Sequence, residues 1–435
     1  MDLRPSRYNF FYPLAADGAV LFNSRTGAAM AADEATARAI VSLLHSPGCE
    51  HPAESSFQRL KEMLAREEFL VPGAFDEHDD VVRRRRARQR RIDGLNLTVA
   101  VTLACNFRCV YCYEDHPVSH MSRATADALL RFAAERLPPE TSLYVTWFGG
   151  EPLLNVPIIE FLSRGLMRLC EDRRCAYDSY MITNGYRLTA PMARRLAKAG
   201  IRDFQVTLDG ERDVHDLQRP LAGGQGTFDV LMRNLAAVAS EVSSIAVRVN
   251  LMRRNVDSAA RLVRRLKEMQ ADAPSLAIAL GHVDSSTPHC GVGEQALLTG
   301  NEFADREMAL LDGTGEDGKE KVALPTPFDT VCSAARLNMY VIAPDGALFK
   351  CWNSLGRPED AIGHIEGPVE EDASAWIRFQ PEDDATCRAC KLLPICQGGC
   401  SDVHLRTGGV ERRCTPLRYT LPQRLAAWAR DRLAH

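Results

Sequence analysis

Several kinds of protein are excluded by what this sequence does not contain. No run of about 18 apolar residues occurs, the length a membrane-crossing helix needs. The N-terminal stretch lacks the basic, apolar and small-residue succession of a secretory signal. There is no excess of positive charge. The 53 Lys and Arg stand against 57 Asp and Glu, a net charge of −4, which gives no support to a nucleic-acid partner. No internal repeat and no low-complexity tract is found. These absences predict a cytoplasmic chain that engages neither membrane nor nucleic acid. Its 46% hydrophobic and 25% charged residues are those of a packed globular protein. At 435 residues it has room for about three domains.

Cysteine, in contrast, is plentiful, with fourteen residues. A large chain without an export signal keeps its thiols reduced, so clustered cysteines point to metal ligation or redox chemistry rather than to a disulfide frame. Ten are patterned: Cys105, Cys109 and Cys112 in one group, and Cys332, Cys351, Cys387, Cys390, Cys396, Cys400 and Cys414 in another. Cys49, Cys170, Cys175 and Cys290 show no ligand spacing and read as buried or idle thiols.

Residues 1–75 read as a small unit. Tyr8 to Leu14 and Ala19 to Phe22 are expected strands around an Asp17-Gly18 turn, followed by loop residues Asn23 to Gly27. Helical spacing follows through Ala37, Ile40, Val41 and Leu44, and again from Phe57 to Phe69. Residues 76–94, acidic and then arginine-rich, read as a charged linker with a solvated helix face. Strands are predicted at 95–103, 143–148, 178–183, 203–208, 245–251 and 276–282. Helices are predicted at 122–137, 156–171, 189–199, 226–240 and 255–271. This alternation predicts an α/β fold with parallel strands, too few for a closed eight-stranded barrel, and functional groups at the carboxyl ends of the strands. Residues 95–285 form this partial (β/α)6 barrel. Residues 286–331 are a connection with a helix at 301–312. Residues 332–415, short of periodic structure, suit a metal-stapled lobe, and a C-terminal helix falls within 416–435.

Cys105-Asn106-Phe107-Arg108-Cys109-Val110-Tyr111-Cys112 follows the first barrel strand. Three thiolates within one loop can wrap a metal centre and leave a fourth position open; a structural zinc site would need another, distant ligand. This C-x3-C-x2-C loop, with an aromatic before its last cysteine, resembles that of the radical S-adenosylmethionine (SAM) superfamily. The resemblance implies that Cys105, Cys109 and Cys112 bind a [4Fe-4S] cluster. SAM chelates its open iron and is cleaved to a hydrogen-abstracting 5′-deoxyadenosyl radical, with Tyr111 against the adenine. Trp147-Phe148-Gly149-Gly150-Glu151-Pro152 resembles the superfamily segment at the SAM amino group, which implicates Gly149, Gly150 and Glu151. Thr183-Asn184-Gly185, Thr207-Leu208-Asp209-Gly210 and Arg248-Val249-Asn250 end later strands. By the same resemblance Thr207, Asp209 and Arg248 contact the SAM ribose or carboxylate. The series Asp209-Gly210, His215-Asp216 and Arg219-Pro220 is similar to that of the peptide- and protein-modifying maturases.

The second cysteine group, with Gly346 before Cys351, resembles the SPASM extension, which binds two auxiliary iron-sulfur clusters. That implies Cys387, Cys390, Cys396 and Cys414 around an outer cluster and Cys332, Cys351 and Cys400 around an inner one. The inner cluster would then have an open iron or a remote ligand such as Cys290. Two zinc sites remain the alternative for these seven cysteines. Anaerobic sulfatase maturases share the layout and carry an aspartate after the cysteine matching Cys351. Here Trp352 stands, and an indole cannot accept a proton. The layout is closer to enzymes that crosslink ribosomally made peptides (RiPPs). In these a winged-helix-like N-terminal domain binds a leader peptide as an added strand. The expected protein is a radical SAM/SPASM oxidoreductase. It forms a thioether or carbon–carbon crosslink in a precursor peptide, with a flavodoxin or ferredoxin as electron donor. The alternatives are maturation of a protein such as a sulfatase, and a non-catalytic zinc-binding adaptor.

Overall fold

A computed structural model describes residues 2–14, 18–47, 55–283, 291–311, 323–328 and 332–433. Cys49, Cys290 and Asp17 of the expected turn lie outside the described residues. The chain divides into two compact units. One comprises Met1–Arg90, Gly315–Cys332 and Phe379–His435, the other Arg91–Thr314 and Ser333–Arg378. The stretch expected as one metal-stapled lobe is thus shared between them. Among the described residues no helix is long and apolar enough to cross a membrane.

The first unit begins with β1 (Leu3–Pro5), β2 (Asn9–Leu14), β3 (Gly18–Asn23), β4 (Ala29–Asp33), α1 (Glu34–His45), α2 (Ser55–Arg66), β5 (Leu70–Pro72) and α3 (Glu77–Arg90). Strands β2, β3 and β4 form an antiparallel sheet in that order, and β1 pairs with β5. The central strand β3 is buried on both faces. Ala19 and Leu21 pack with Ile40, Leu43, Leu64 and Phe69, whereas Val20 and Phe22 pack with Leu392, Ile395, Leu421 and Leu425. Each such leucine removed from water contributes roughly 1.5–3 kcal/mol, so residues 379–433 complete the core that the N-terminal sheet begins.

The charged run at 76–94 is not a linker. It folds as α3, because its charges have buried partners. Arg85 is buried, donating to the carbonyl of Phe379 at 3.0 Å and to Gln380 Oε1 at 2.8 Å, and it lies 3.4 Å from Glu382. Glu77 and Asp80 face the buried Arg25 at 3.5 and 3.2 Å. Only the remaining arginines form the expected solvated face.

The second unit carries β6 (Leu95–Ala100), α4 (Arg123–Arg136), β7 (Ser142–Phe148), α5 (Val156–Arg173), β8 (Ala176–Thr183), α6 (Ala190–Ala197), β9 (Asp203–Thr207), α7 (Arg212–Gln218), α8 (Phe228–Val238), β10 (Ser244–Leu251), α9 (Val256–Asp272), β11 (Leu276–His282) and α10 (Gly300–Leu311). The six strands pair in parallel in chain order from β6 to β11, which gives an α/β fold around a parallel sheet. The helices bury one stripe each. In α5 the stripe is Val156, Ile159, Leu162, Leu166 and Cys170, so Cys170 is a core residue. Ser122 and Thr189 cap α4 and α6 by accepting from the backbone N–H of Thr125 and Met192.

Beyond β6 the sheet continues with three strands from the later part of the chain: β12 (Met339–Ile342), parallel to β6, then β13 (Ala347–Phe349) and β14 (Gly363–His364), both antiparallel. The sheet therefore does not close on itself. Register matches Ala100 with Phe148, Thr183 with Val206 and Thr207 with Arg248, so the segments after β6, β7, β8, β9 and β10 emerge side by side at one edge. That edge is where an open parallel sheet takes its ligands.

Candidate active site

The cysteine loop is held by backbone contacts before any side chain is considered. Gly150 N–H donates to Thr102 O at 3.1 Å and Glu151 N–H to Ala104 O at 2.9 Å. A Cβ on Gly150 would stand 2.5 Å from the carbonyl oxygens of Leu103 and Ala104. One on Gly149, whose φ is +115°, would stand 2.1 Å from Thr102 O. Both glycines serve here to bring the β7 turn against the cysteine loop, a closeness no side chain permits.

Glu151 is fully buried. Its Oε1 accepts from Thr183 Oγ1 at 2.7 Å and Leu153 N–H at 3.0 Å, and its Oε2 from Asn184 N–H at 2.8 Å. Burial pushes its carboxyl up, against these hydrogen bonds. The carboxylate thus fixes the β8 turn, and Asn184 Nδ2 in turn donates to Asn106 Oδ1 at 2.8 Å and lies 3.9 Å from Cys105 Sγ.

Cys105, Cys109 and Cys112 are half-buried on this loop. Burial, reinforced by the charge of Glu151 for Cys105 and of Glu114 for Cys112, pushes both thiols up to about 12. Burial also raises Cys109, opposed by Arg219. Without a metal these groups stay protonated, so loading them as thiolates releases protons. Among the described residues no three His, Cys, Asp or Glu side chains gather into a site for a single ion. Buried atoms beside the loop without a hydrogen-bond partner include Arg219 Nε and Glu114 Oε2. Three soft sulfur donors on one loop with a buried guanidinium facing them fit an anionic iron–sulfur centre.

A second layer lies under Tyr111. Its hydroxyl donates to Asp209 Oδ2 at 2.5 Å and accepts from Arg219 Nη1 at 2.5 Å and Asn250 Nδ2 at 3.1 Å. Asp209 is wholly buried, and its Oδ1 accepts from Asn250 N–H at 3.1 Å. Asp209, expected at the ribose or carboxylate of a nucleotide, binds Tyr111 and the β10 backbone. Thr207 is buried on β9 opposite Arg248, whose Nε donates to Asn250 Oδ1 at 2.9 Å. Motif residues carried no sign that Arg219 would meet Tyr111, 108 positions away. Only the topology joins them.

His215 braces this layer. Its Nδ1 accepts from Asp209 N–H at 3.2 Å, so the proton is on Nε2, which donates to Thr227 Oγ1 at 3.0 Å; that hydroxyl donates on to Arg219 O. Asp216 Oδ1 accepts from the N–H groups of Thr227 and Phe228, fixing the start of α8. Burial, with the Arg219 charge, holds His215 down at about 3. Below its ordinary value of 6.5 the unfolded chain binds a proton that the folded chain refuses. The stability this represents is therefore full above that value and is lost as pH falls. Replacing His215 with Gln is expected to destabilise the protein near neutral pH. The gap to wild type should shrink by about 1 kcal/mol per pH unit between about pH 6 and 5. Urea unfolding across that range checks it, and a constant gap would refute it.

In the first unit, Cys387, Cys390, Cys396 and Cys414 lie on short helices and turns within electrostatic reach of one another. Asp384 caps the helix bearing Cys387 and is held by Arg412 at 3.1 Å, while Arg418 Nη1 lies 3.8 Å from Cys414 Sγ. A Cβ on Gly399 would stand 2.1 Å from Arg413 O, so glycine lets the chain cross beside Cys414. Cys332 and Cys400 also feel each other, with Ser401 Oγ 3.9 Å from Cys332 Sγ.

Residues 99–269 match the family model described as the radical SAM superfamily. The mycofactocin maturase MftC of Mycobacterium tuberculosis is 25% identical over 348 residues, spanning 74% of this chain and 82% of that protein. A probable GTP 3′,8-cyclase of Methanopyrus kandleri is 29% identical over 207 residues, spanning 46% of this chain and 62% of that protein. Among solved structures, Streptococcus suis SuiB bound to precursor peptide SuiA has a TM-score of 0.54 at 15% identity, covering 93% of this chain and 97% of that one. Native anSMEcpe with bound AdoMet and Cp18Cys peptide has a TM-score of 0.58 at 17% identity, covering 78% of this chain and 99% of that one. At these identities the structural likeness establishes a shared fold.

Proposed function

We propose that this chain, a radical SAM enzyme whose radical SAM domain spans residues 99–269, modifies a ribosomally made precursor peptide by joining two of its side chains through a thioether or carbon–carbon bond. The observation that carries the reading is the reach of the likeness. The mycofactocin maturase MftC aligns with 74% of the chain, well past the radical SAM domain, whereas the cyclase aligns with 46%. The shared fold with peptide-bound SuiB over 93% of the chain agrees with it.

Cys105, Cys109 and Cys112 would hold the cluster. With SAM bound, the group supplies a 5′-deoxyadenosyl radical able to take hydrogen from an unactivated carbon. The chain's own residues position the reactants. Gly149, Gly150 and Glu151 press the β7 turn against the cysteine loop and border the SAM amino group. Tyr111, locked by Asp209, Arg219 and Asn250, faces the adenine. Thr207, Asp209 and Arg248 would lie at the ribose and carboxylate, where the Arg248 guanidinium suits a carboxylate. Cys387, Cys390, Cys396 and Cys414 would hold an outer auxiliary cluster, and Cys332, Cys351 and Cys400 an inner one; a fourth ligand from Cys290 falls outside the described residues.

The leader would add a strand to an edge of the β2–β3–β4 sheet. An apolar cleft of about 330 Å³ beside β2, lined by Phe11, Leu14, Ala37, Arg38 and Val41, suits side chains of such a strand.

The test is anaerobic reconstitution with iron and sulfide, addition of SAM and reductant, and co-expression with short open reading frames neighbouring the gene. Iron–sulfur absorption, 5′-deoxyadenosine release and a peptide lighter by two hydrogens per bond are expected. Colourless zinc protein that leaves SAM intact would overturn the reading.

A further inference from the structure

We propose that the indole of Trp352, stacked on Phe148, is the platform on which the substrate lays an aromatic side chain, and so selects the residue presented to the site. The inference rests on the peptide-modifying reading above.

Among the described residues Trp352 is the only aromatic side chain that is largely exposed, at 44%. A single exposed apolar residue is unremarkable by itself. This one is held in place. Its ring stacks on Phe148 with centroids 5.8 Å apart and planes 26° from parallel. Phe148 is itself buried, at 8% exposed, in a cluster with Leu103, Val341, Phe349 and Leu355. The turn Trp352–Ser354 is anchored behind the indole, since Ser354 and Leu355 are both buried. One face of the indole is therefore covered, and its exposure belongs to the rest of the ring.

The place is as informative as the exposure. Phe148 ends β7, immediately before Gly149 and in register with Ala100 at the root of the cysteine loop. Tyr113, the residue after Cys112, packs into the same apolar cluster. Its hydroxyl lies within electrostatic reach of Glu114, Cys112, Cys351 and Arg248. The platform thus stands between the radical-forming loop and Cys351, at the carboxyl edge of the strands where ligands enter.

A substrate ring laid on the open indole face extends a stack that Phe148 has begun. Offset stacking of this kind is worth about three- to tenfold in affinity beyond the area buried. A lysine side chain would also be drawn to an indole face, but it would not extend the ring stack that Phe148 has begun. A simple aliphatic chain would forgo the stacking gain.

The probes are N-acetyl-tyrosinamide, N-acetyl-leucinamide and N-acetyl-lysinamide, titrated by ligand-observed saturation-transfer NMR against the full-length, reconstituted, SAM-loaded enzyme. The tyrosine amide is expected to bind at least fivefold more tightly than the other two. Trp352→Ala should lose that preference and Trp352→Phe should keep affinity within about twofold. Leucine or lysine amide binding as tightly as tyrosine amide, no measurable binding of the tyrosine amide, or an unchanged preference in Trp352→Ala would each overturn the proposal. Release of 5′-deoxyadenosine by the wild type is scored separately. Its absence removes the parent reading, while the selectivity among the amides still decides this one.

Discussion

Alanine in place of Cys109 is expected to bring 5′-deoxyadenosine production down to the level of a protein-free control and to lower bound iron by about four atoms per chain. The same change at Cys170 should alter neither. The contrast separates two uses of one residue type. Cys109 lies in a loop pinned by Gly150, Glu151 and Asn184 and has the Arg219 charge beside it. Cys170 is one step of the apolar stripe of α5, 2% exposed, with its thiol pushed up to about 11 by burial. Inductively coupled plasma iron analysis and chromatography of quenched SAM reactions supply both readouts. Partial iron loss in Cys109→Ala leaves room for the second cysteine group to remain loaded. Normal turnover in that variant would remove the assignment of the loop as the site of SAM cleavage.

The elements that the sequence announces are those whose pattern is local. The six parallel strands and the helices between them end within a few residues of expectation, because alternation in β10 and three-four spacing in α5 are written in adjacent residues. β4, with the sequence Ala-Met-Ala-Ala-Asp, has no β-branched residue to announce it, and α7 has only seven residues. The arginine-rich run at 76–94 reads as solvated because the partners that bury Arg85 lie almost 300 positions away, in Phe379, Gln380 and Glu382.

The candidate site divides in the same way. The cysteine loop and the Gly-Gly-Glu turn are contiguous motifs and could be named from the chain alone. What Glu151 and Asp209 do with their carboxylates could not. In isolation each is a charged acceptor at a strand end, and only the assembled edge shows that Glu151 holds the β8 turn and Asp209 holds Tyr111. Each carboxylate, whatever it offers a ligand, also holds the residues around it.

That buried layer sets up the largest effect on stability. Arg219→Met is expected to cost about 3 kcal/mol, the scale of breaking a buried charge pair. The methionine fills most of the volume but leaves the fully buried Asp209 without its foremost cation and takes one of three hydrogen bonds from Tyr111. Burial already pushes the Asp209 carboxyl up, and the Arg219 charge is the foremost influence opposing it. Removing that charge leaves only the hydrogen bonds from Tyr111 and Asn250 and the charge of Arg248 to offset desolvation. Asp209→Asn in the same chain should recover at least half of the loss, because a neutral amide needs no counter-charge while it can still accept from Asn250 N–H. The pair is close enough to couple, so the double-mutant cycle should depart from additivity by about 1–3 kcal/mol. Anaerobic urea unfolding of the four proteins gives the cycle directly. Additive losses, with Arg219→Met no worse than a surface substitution, would mean that the guanidinium merely fills space beneath Tyr111.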